Sequence, residues 1–106
     1  MSAVNLFHLA VVAPLLLYVA WAGNNKPAWL NMGLVALGLG VIGYHLMLLG
    51  QRGINWRNLW HVLAVGTGLI YLGWVGNRVP DGYYNVLGWV IAGMVVYHGL
   101  RYLRWI

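Results

Sequence analysis

The chain has 106 residues, 62% of them apolar and 7% charged, with a net charge of +5 and no cysteine. A soluble domain of this length carries roughly a quarter charged residues and leaves too much surface in water to hide so many apolar side chains. Composition therefore excludes an ordinary soluble domain, while the lack of cysteine excludes disulfides and thiolate metal sites.

The first uncharged run covers residues 4–22 and holds His8 near its start and Pro14 in its middle. Ala20-Trp21-Ala22 has the small residues of a signal-cleavage site, but no Lys or Arg precedes the apolar run, which predicts a retained helix. Pro14 predicts a kink there. The second run, 28–50, carries Ala36-x-x-x-Gly40 and ends on Tyr44-His45. The third, 59–76, follows Asn58 and contains His61 and Ala64-x-x-x-Gly68; the fourth, 83–100, contains Gly93 and ends on Tyr97-His98. Each run approaches the ~20 residues that a helix needs to cross a hydrocarbon core. Only helices or closed barrels satisfy their backbone in lipid, and these runs lack the alternation of a barrel strand. The expected fold is all-α, with four transmembrane helices in an up-down bundle joined by short connectors.

A shift of 53 residues superposes the two halves of the chain without a gap, and 14 of the 53 aligned pairs are identical. Asn5 falls on Asn58, His8 on His61, Tyr18 on Tyr71 and Trp21 on Trp74; the turn GNNKP (23–27) falls on GNRVP (76–80). Gly40, Tyr44 and His45 fall on Gly93, Tyr97 and His98. This predicts a tandem duplication of one helical hairpin, repeats 1–53 and 54–106, related by a pseudo-twofold axis along the membrane normal. Pro14 falls on Thr67, so its kink is not expected to be shared; Pro27 and Pro80 read as helix-start chemistry.

The six basic residues stand apart, which speaks against a nucleic-acid partner. Arg52, Arg57, Arg101 and Arg104 fall on one side of the membrane, Lys26 and Arg78 on the other, together with the single acid, Asp81. That bias predicts both termini in the cytoplasm. Trp56, Trp60, Tyr102 and Trp105 then mark one interface, and Trp21, Trp29, Trp74, Tyr83 and Tyr84 the other. Trp89 lies a few residues inside the fourth run, packed between helices or against lipid. The bilayer is the expected partner.

Because successive helices run in opposite directions, His8, His45, His61 and His98 are expected at one depth near the cytoplasmic face. Asn5 and Asn58 stand three residues before His8 and His61, placed either to orient an imidazole or, the favoured role, to cap a helix start. Tyr44 and Tyr97 directly precede the other two histidines and project about 100° away. Neutral imidazole ligates haem iron and transition metals, so haem b or a His-ligated metal is one use for this layer; interhelical hydrogen bonding is the other. Ala36, Gly40, Ala64, Gly68 and Gly93 are candidates for close helix packing, within the chain or between copies of a homo-oligomer.

The unit N-x-x-H-(x)5-P-L-x-x-Y (Asn5, His8, Pro14, Leu15, Tyr18), the G-N-x-x-P turn and G-x-x-x-Y-H (Gly40 to His45) resemble small hairpin membrane proteins of large nucleocytoplasmic DNA viruses. The second copy departs from that pattern at Thr67-Gly68. The resemblance implies a host or virion membrane and supplies no mechanism. Three functions stay open: a non-enzymatic structural or scaffolding protein, a haem- or metal-binding bundle, and a small proton or ion channel. With no paired carboxylates and no nucleophile–base constellation, an enzyme is not expected.

Overall fold

The computed structural model describes residues 2–105 and contains no strand among them. Four helices follow one another. We call them α1 (2–22), α2 (Ala28–Arg52), α3 (56–75) and α4 (Asp81–Tyr102). α2, α3 and α4 run a few residues beyond the uncharged segments, because Arg52, Trp56, Arg57 and Arg101 continue the backbone ladder into the polar boundary. The stretches Ala3–Asn25, Ala28–Arg52 and Trp56–Arg78 are long and apolar enough to cross a membrane, consistent with an integral membrane protein. α4 is not among them. Its 22 residues suffice in length, but Asp81, Asn85, His98, Arg101 and its glycines dilute its apolar content.

Side chains facing outward are apolar. Trp21, Trp29, Trp56, Trp74, Trp89 and Trp105 are each more than 70% exposed, alongside many exposed Leu, Val and Met. Such a surface is a liability in water and natural against hydrocarbon. Buried polar side chains are few among the described residues: Asn5, Lys26, Asn58 and His98.

The chain divides into two compact units. The first joins the segment up to Gly23 with that from Pro80 on, so it pairs α1 with α4. The second is Asn24–Val79 and pairs α2 with α3. Each unit thus takes one helix from each half of the sequence. In the first, α1 buries Ala13, Leu16 and Val19 at steps of three, and α4 buries Tyr84, Leu87 and Ile91. In the second, α2 buries Leu30, Leu34 and Gly38 at steps of four, and α3 buries Gly66, Leu69 and Leu72. Both are one-stripe helical patterns.

Close approach occurs in the second unit at glycine. A Cβ on Gly38 would stand 2.7 Å from the carbonyl oxygen of Gly66, one on Gly66 would strike Ile42, and one on Gly73 would strike the Asn31 carbonyl. The small-residue sites expected from the sequence lie elsewhere. A Cβ added to Gly40 or Gly93 would find nothing within 4 Å, Ala36 is exposed, and Ala64 and Gly68 are half-buried. The physical reason is angular: Gly40 is about 200° round the helix from Gly38.

Two irregularities recur. α1 widens into a π-helical stretch at His8–Val12, and α3 does so at His61–Gly66, each opening on its histidine. The distortion expected only around Pro14 is therefore present in both helices. Pro14 sits in the first turn of the α segment that resumes at Ala13, where a missing N–H is tolerated. At the matching place Thr67 donates its hydroxyl to the Val62 carbonyl across 3.3 Å.

Gly23 and Gly76 both adopt positive φ, +56° and +74°, which only glycine accepts without strain, and each starts a 3-10 turn. Within the second unit the two turns hold each other. Asn24 donates to the Val79 carbonyl (2.8 Å) and accepts from the Val79 N–H (3.2 Å), while Asn77 donates to the Lys26 carbonyl (3.0 Å). Lys26, 2% exposed, donates to the Gly76 carbonyl at 3.1 Å, and burial holds its ammonium below the ordinary lysine pKa. Proline at positions 27 and 80 then caps the next helix through the same backbone bond, three residues on, at 3.0 Å in both cases.

Candidate functional site

All four histidines are used, in two pairs. In the first unit His8 on α1 stacks on His98 on α4, with ring centroids 4.0 Å apart and planes 12° from parallel. In the second, His45 on α2 stacks on His61 on α3 at 4.2 Å and 22°. Each pair thus joins a histidine near the start of one helix to one near the end of its antiparallel neighbour, as alternating helix direction requires.

Hydrogen bonds orient the rings. His8 Nδ1 donates to the Val4 carbonyl at 2.8 Å, and His61 Nδ1 donates to the Arg57 carbonyl at 2.6 Å. Each reaches back one turn along its own helix, just where the wide turn begins. The partner rings are held by asparagine: His98 Nδ1 donates to Asn5 Oδ1, and His45 Nδ1 to Asn58 Oδ1, both at 2.8 Å. Carbonyl oxygens only accept, so the proton of each neutral ring is on Nδ1 and the lone pair on Nε2. Asn5 and Asn58 are 4% and 8% exposed; an unsatisfied amide at such a place would cost about 1–3 kcal/mol.

The asparagines thus orient imidazoles rather than cap, and each serves the histidine of the neighbouring helix rather than the one three residues along its own. α3 is capped instead by Asn55, whose Oδ1 accepts the Asn58 N–H at 3.0 Å. The repeat and the histidine spacing do not point to Asn55, although Asn two residues after a glycine and directly before the helix is a recognisable capping signal. Nor do they point to the crossed roles of Asn24 and Asn77, for which the repeated Gly-Asn dipeptide is the available sign. Tyr44 and Tyr97 keep to the side, each meeting the following histidine edge-on at a centroid distance of 5.1 Å.

What chemistry does this permit? An imidazole binds a metal along its Nε2 lone pair, in the ring plane, at about 2.0–2.1 Å. Two rings stacked face to face, with planes 12° or 22° apart, aim no two lone pairs at a common point within that distance. Neither pair as built therefore fits one shared metal, and a haem iron between two axial histidines needs rings on opposite sides of it rather than stacked. Among the described residues no three His, Asp, Glu or Cys side chains stand close enough to hold a metal ion. What the arrangement does support is a polar lock: one buried amide, two stacked rings and one backbone carbonyl, fastening an N-terminal helix turn to a C-terminal one.

No protein-family model, no curated protein and no solved structure matches the chain.

Proposed function

We propose that this is a four-span integral membrane protein built by tandem duplication of a helical hairpin, with a non-enzymatic, structural role in its membrane. Its termini lie in the cytoplasm, and its two Asn–His–His clusters fix which helices pair and in what register. The observation that carries this reading is the completeness of the clusters: each imidazole Nδ1 has an oxygen partner, and the rings stack on each other instead of facing a common centre. Hydrogen bonds between membrane helices contribute about 0.6 kcal/mol on average and specify register beyond that value. The fourth span draws support from the direction of α4, antiparallel to α1, with Tyr84 at one end near Gly23 and His98 at the other on Asn5. The duplication draws support from the recurrence, 53 positions apart, of both the π-helical stretches and the Asn–His bonds.

The test is an absorption spectrum with elemental analysis of the purified protein, followed by thermal unfolding. The protein is expected to be colourless and metal-free, and to lose stability in Asn58→Leu. A Soret band, or stoichiometric metal that disappears in His45→Ala and His98→Ala, overturns the structural role in favour of a haem or metal carrier.

A further inference from the structure

The connector between α2 and α3 is built unlike a merely polar loop. Arg52 ends α2; Gly53, Ile54 and Asn55 turn the chain; Trp56 and Arg57 begin α3. Ile54 and Trp56 are the two most exposed large apolar residues of this stretch, at 84% each, and they lie between two exposed arginines. The loop is also held in shape. Asn55 donates to the Gly53 carbonyl at 3.3 Å and accepts from Asn58, while the Arg57 carbonyl accepts from His61. The only acidic residue of the chain, Asp81, belongs to the other unit, so no carboxylate within 24–79 balances Arg52 and Arg57.

We propose that residues 52–57 form a binding site for the headgroup of an anionic phospholipid. The two guanidinium groups receive the phosphate, as arginine does through its planar set of donors. Ile54 and Trp56 lie beside them at the level of the glycerol and upper acyl chain, where an indole is favoured. A soluble phosphate would gain nothing from the two apolar side chains, and this charge-with-hydrocarbon combination selects the lipid. The proposal rests on the membrane reading above.

The full-length protein is reconstituted into phosphatidylcholine vesicles with and without phosphatidylglycerol, and the lipid it retains after mild detergent extraction is counted by native mass spectrometry. Phosphatidylglycerol is expected to be enriched about fivefold per arginine, so by more than tenfold for the pair. Arg52→Gln with Arg57→Gln lowers the enrichment more than tenfold, Arg78→Gln leaves it unchanged, and excess inorganic phosphate does not displace the lipid. Enrichment that survives the Arg52/Arg57 double substitution, or falls equally with Arg78→Gln, overturns the site. Displacement by inorganic phosphate overturns the choice of a lipid. Failure to enter pure phosphatidylcholine vesicles sinks the membrane reading itself, whereas entry without enrichment sinks only the lipid site.

Discussion

The α2–α3 pair meets through glycine, whereas the α1–α4 pair carries larger side chains at the positions 53 residues away. Gly38 corresponds to Ile91, Gly66 to Ala13 and Gly73 to Ala20. The first two of those larger residues are buried, at 1% and 3% exposed. The glycines that α4 does possess, Gly82, Gly88, Gly93 and Gly99, have no atom within 4 Å of where a Cβ would stand. Yet both pairs carry the same Asn–His–His cluster with matching Nδ1 distances to asparagine. Two kinds of packing thus present one polar arrangement. Apolar shape sets how closely the backbones approach, and the hydrogen-bonded groups set which helix ends meet.

The largest effect should come from filling the closest approach. Gly73→Ala drives a methyl group into the Asn31 carbonyl and Val35, neither of which is a flexible side-chain tip. It should cost about 1–3 kcal/mol or more, read as a fall in the thermal unfolding midpoint in detergent. The matching change in the other unit, Ala20→Gly, should stay below about 1 kcal/mol, the helix-propensity loss alone. Equal losses at the two positions would erase the packing difference between the units.

Next come the asparagines. Asn5→Leu and Asn58→Leu each leave a histidine N–H without its oxygen and should cost about 1–3 kcal/mol. Because the two clusters match, the two losses should agree closely; a large inequality in unfolding midpoints would show that the clusters differ in weight.

Lys26 offers a contrast between the two turns, since Val79 occupies the matching place and both are 2% exposed. Burial lowers the lysine pKa from its ordinary 10.5. The unfolded chain therefore holds that proton more tightly than the folded one, and stability rises with pH through the window below 10.5. Lys26→Met should flatten that rise in a series of unfolding midpoints against pH, and an unchanged slope would assign it to other groups. The smallest effect belongs to Gly40→Ala and Gly93→Ala, which meet open space and should be neutral or stabilising by at most about 1 kcal/mol.

Much of this is legible in the residues. Apolar length and scarce charge imply long helices, and opposite helix directions imply that starts meet ends. The pairing of Asn5 and Asn58 with imidazoles is legible as one of two roles, since both types recur at the same spacing. Which histidine each serves is not legible, because the spacing of three suggests a partner on the same helix. The ring of His8 instead turns back to Val4, and that of His61 to Arg57, as the helix widens. The packed glycines escape a reading of the residues for a related reason. Small-xxx-small spacing identifies a face that can approach a neighbour, and several faces of α2 qualify.

By itself, the sequence determined the all-α class, four long uncharged segments of which three are apolar enough to cross a membrane, and the recurrence of Asn5, His8 and His45 as Asn58, His61 and His98. These depend on composition and spacing along the chain. Only the tertiary structure decided that His8 meets His98 and His45 meets His61, that the rings stack rather than converge, and that Gly38, Gly66 and Gly73 carry the contact. The reason is rotational: spacing gives a residue's depth along a helix axis, whereas its partner depends on the rotation of each helix about that axis. That rotation is set by the wide turns at His8 and His61 together with the packing of neighbouring helices.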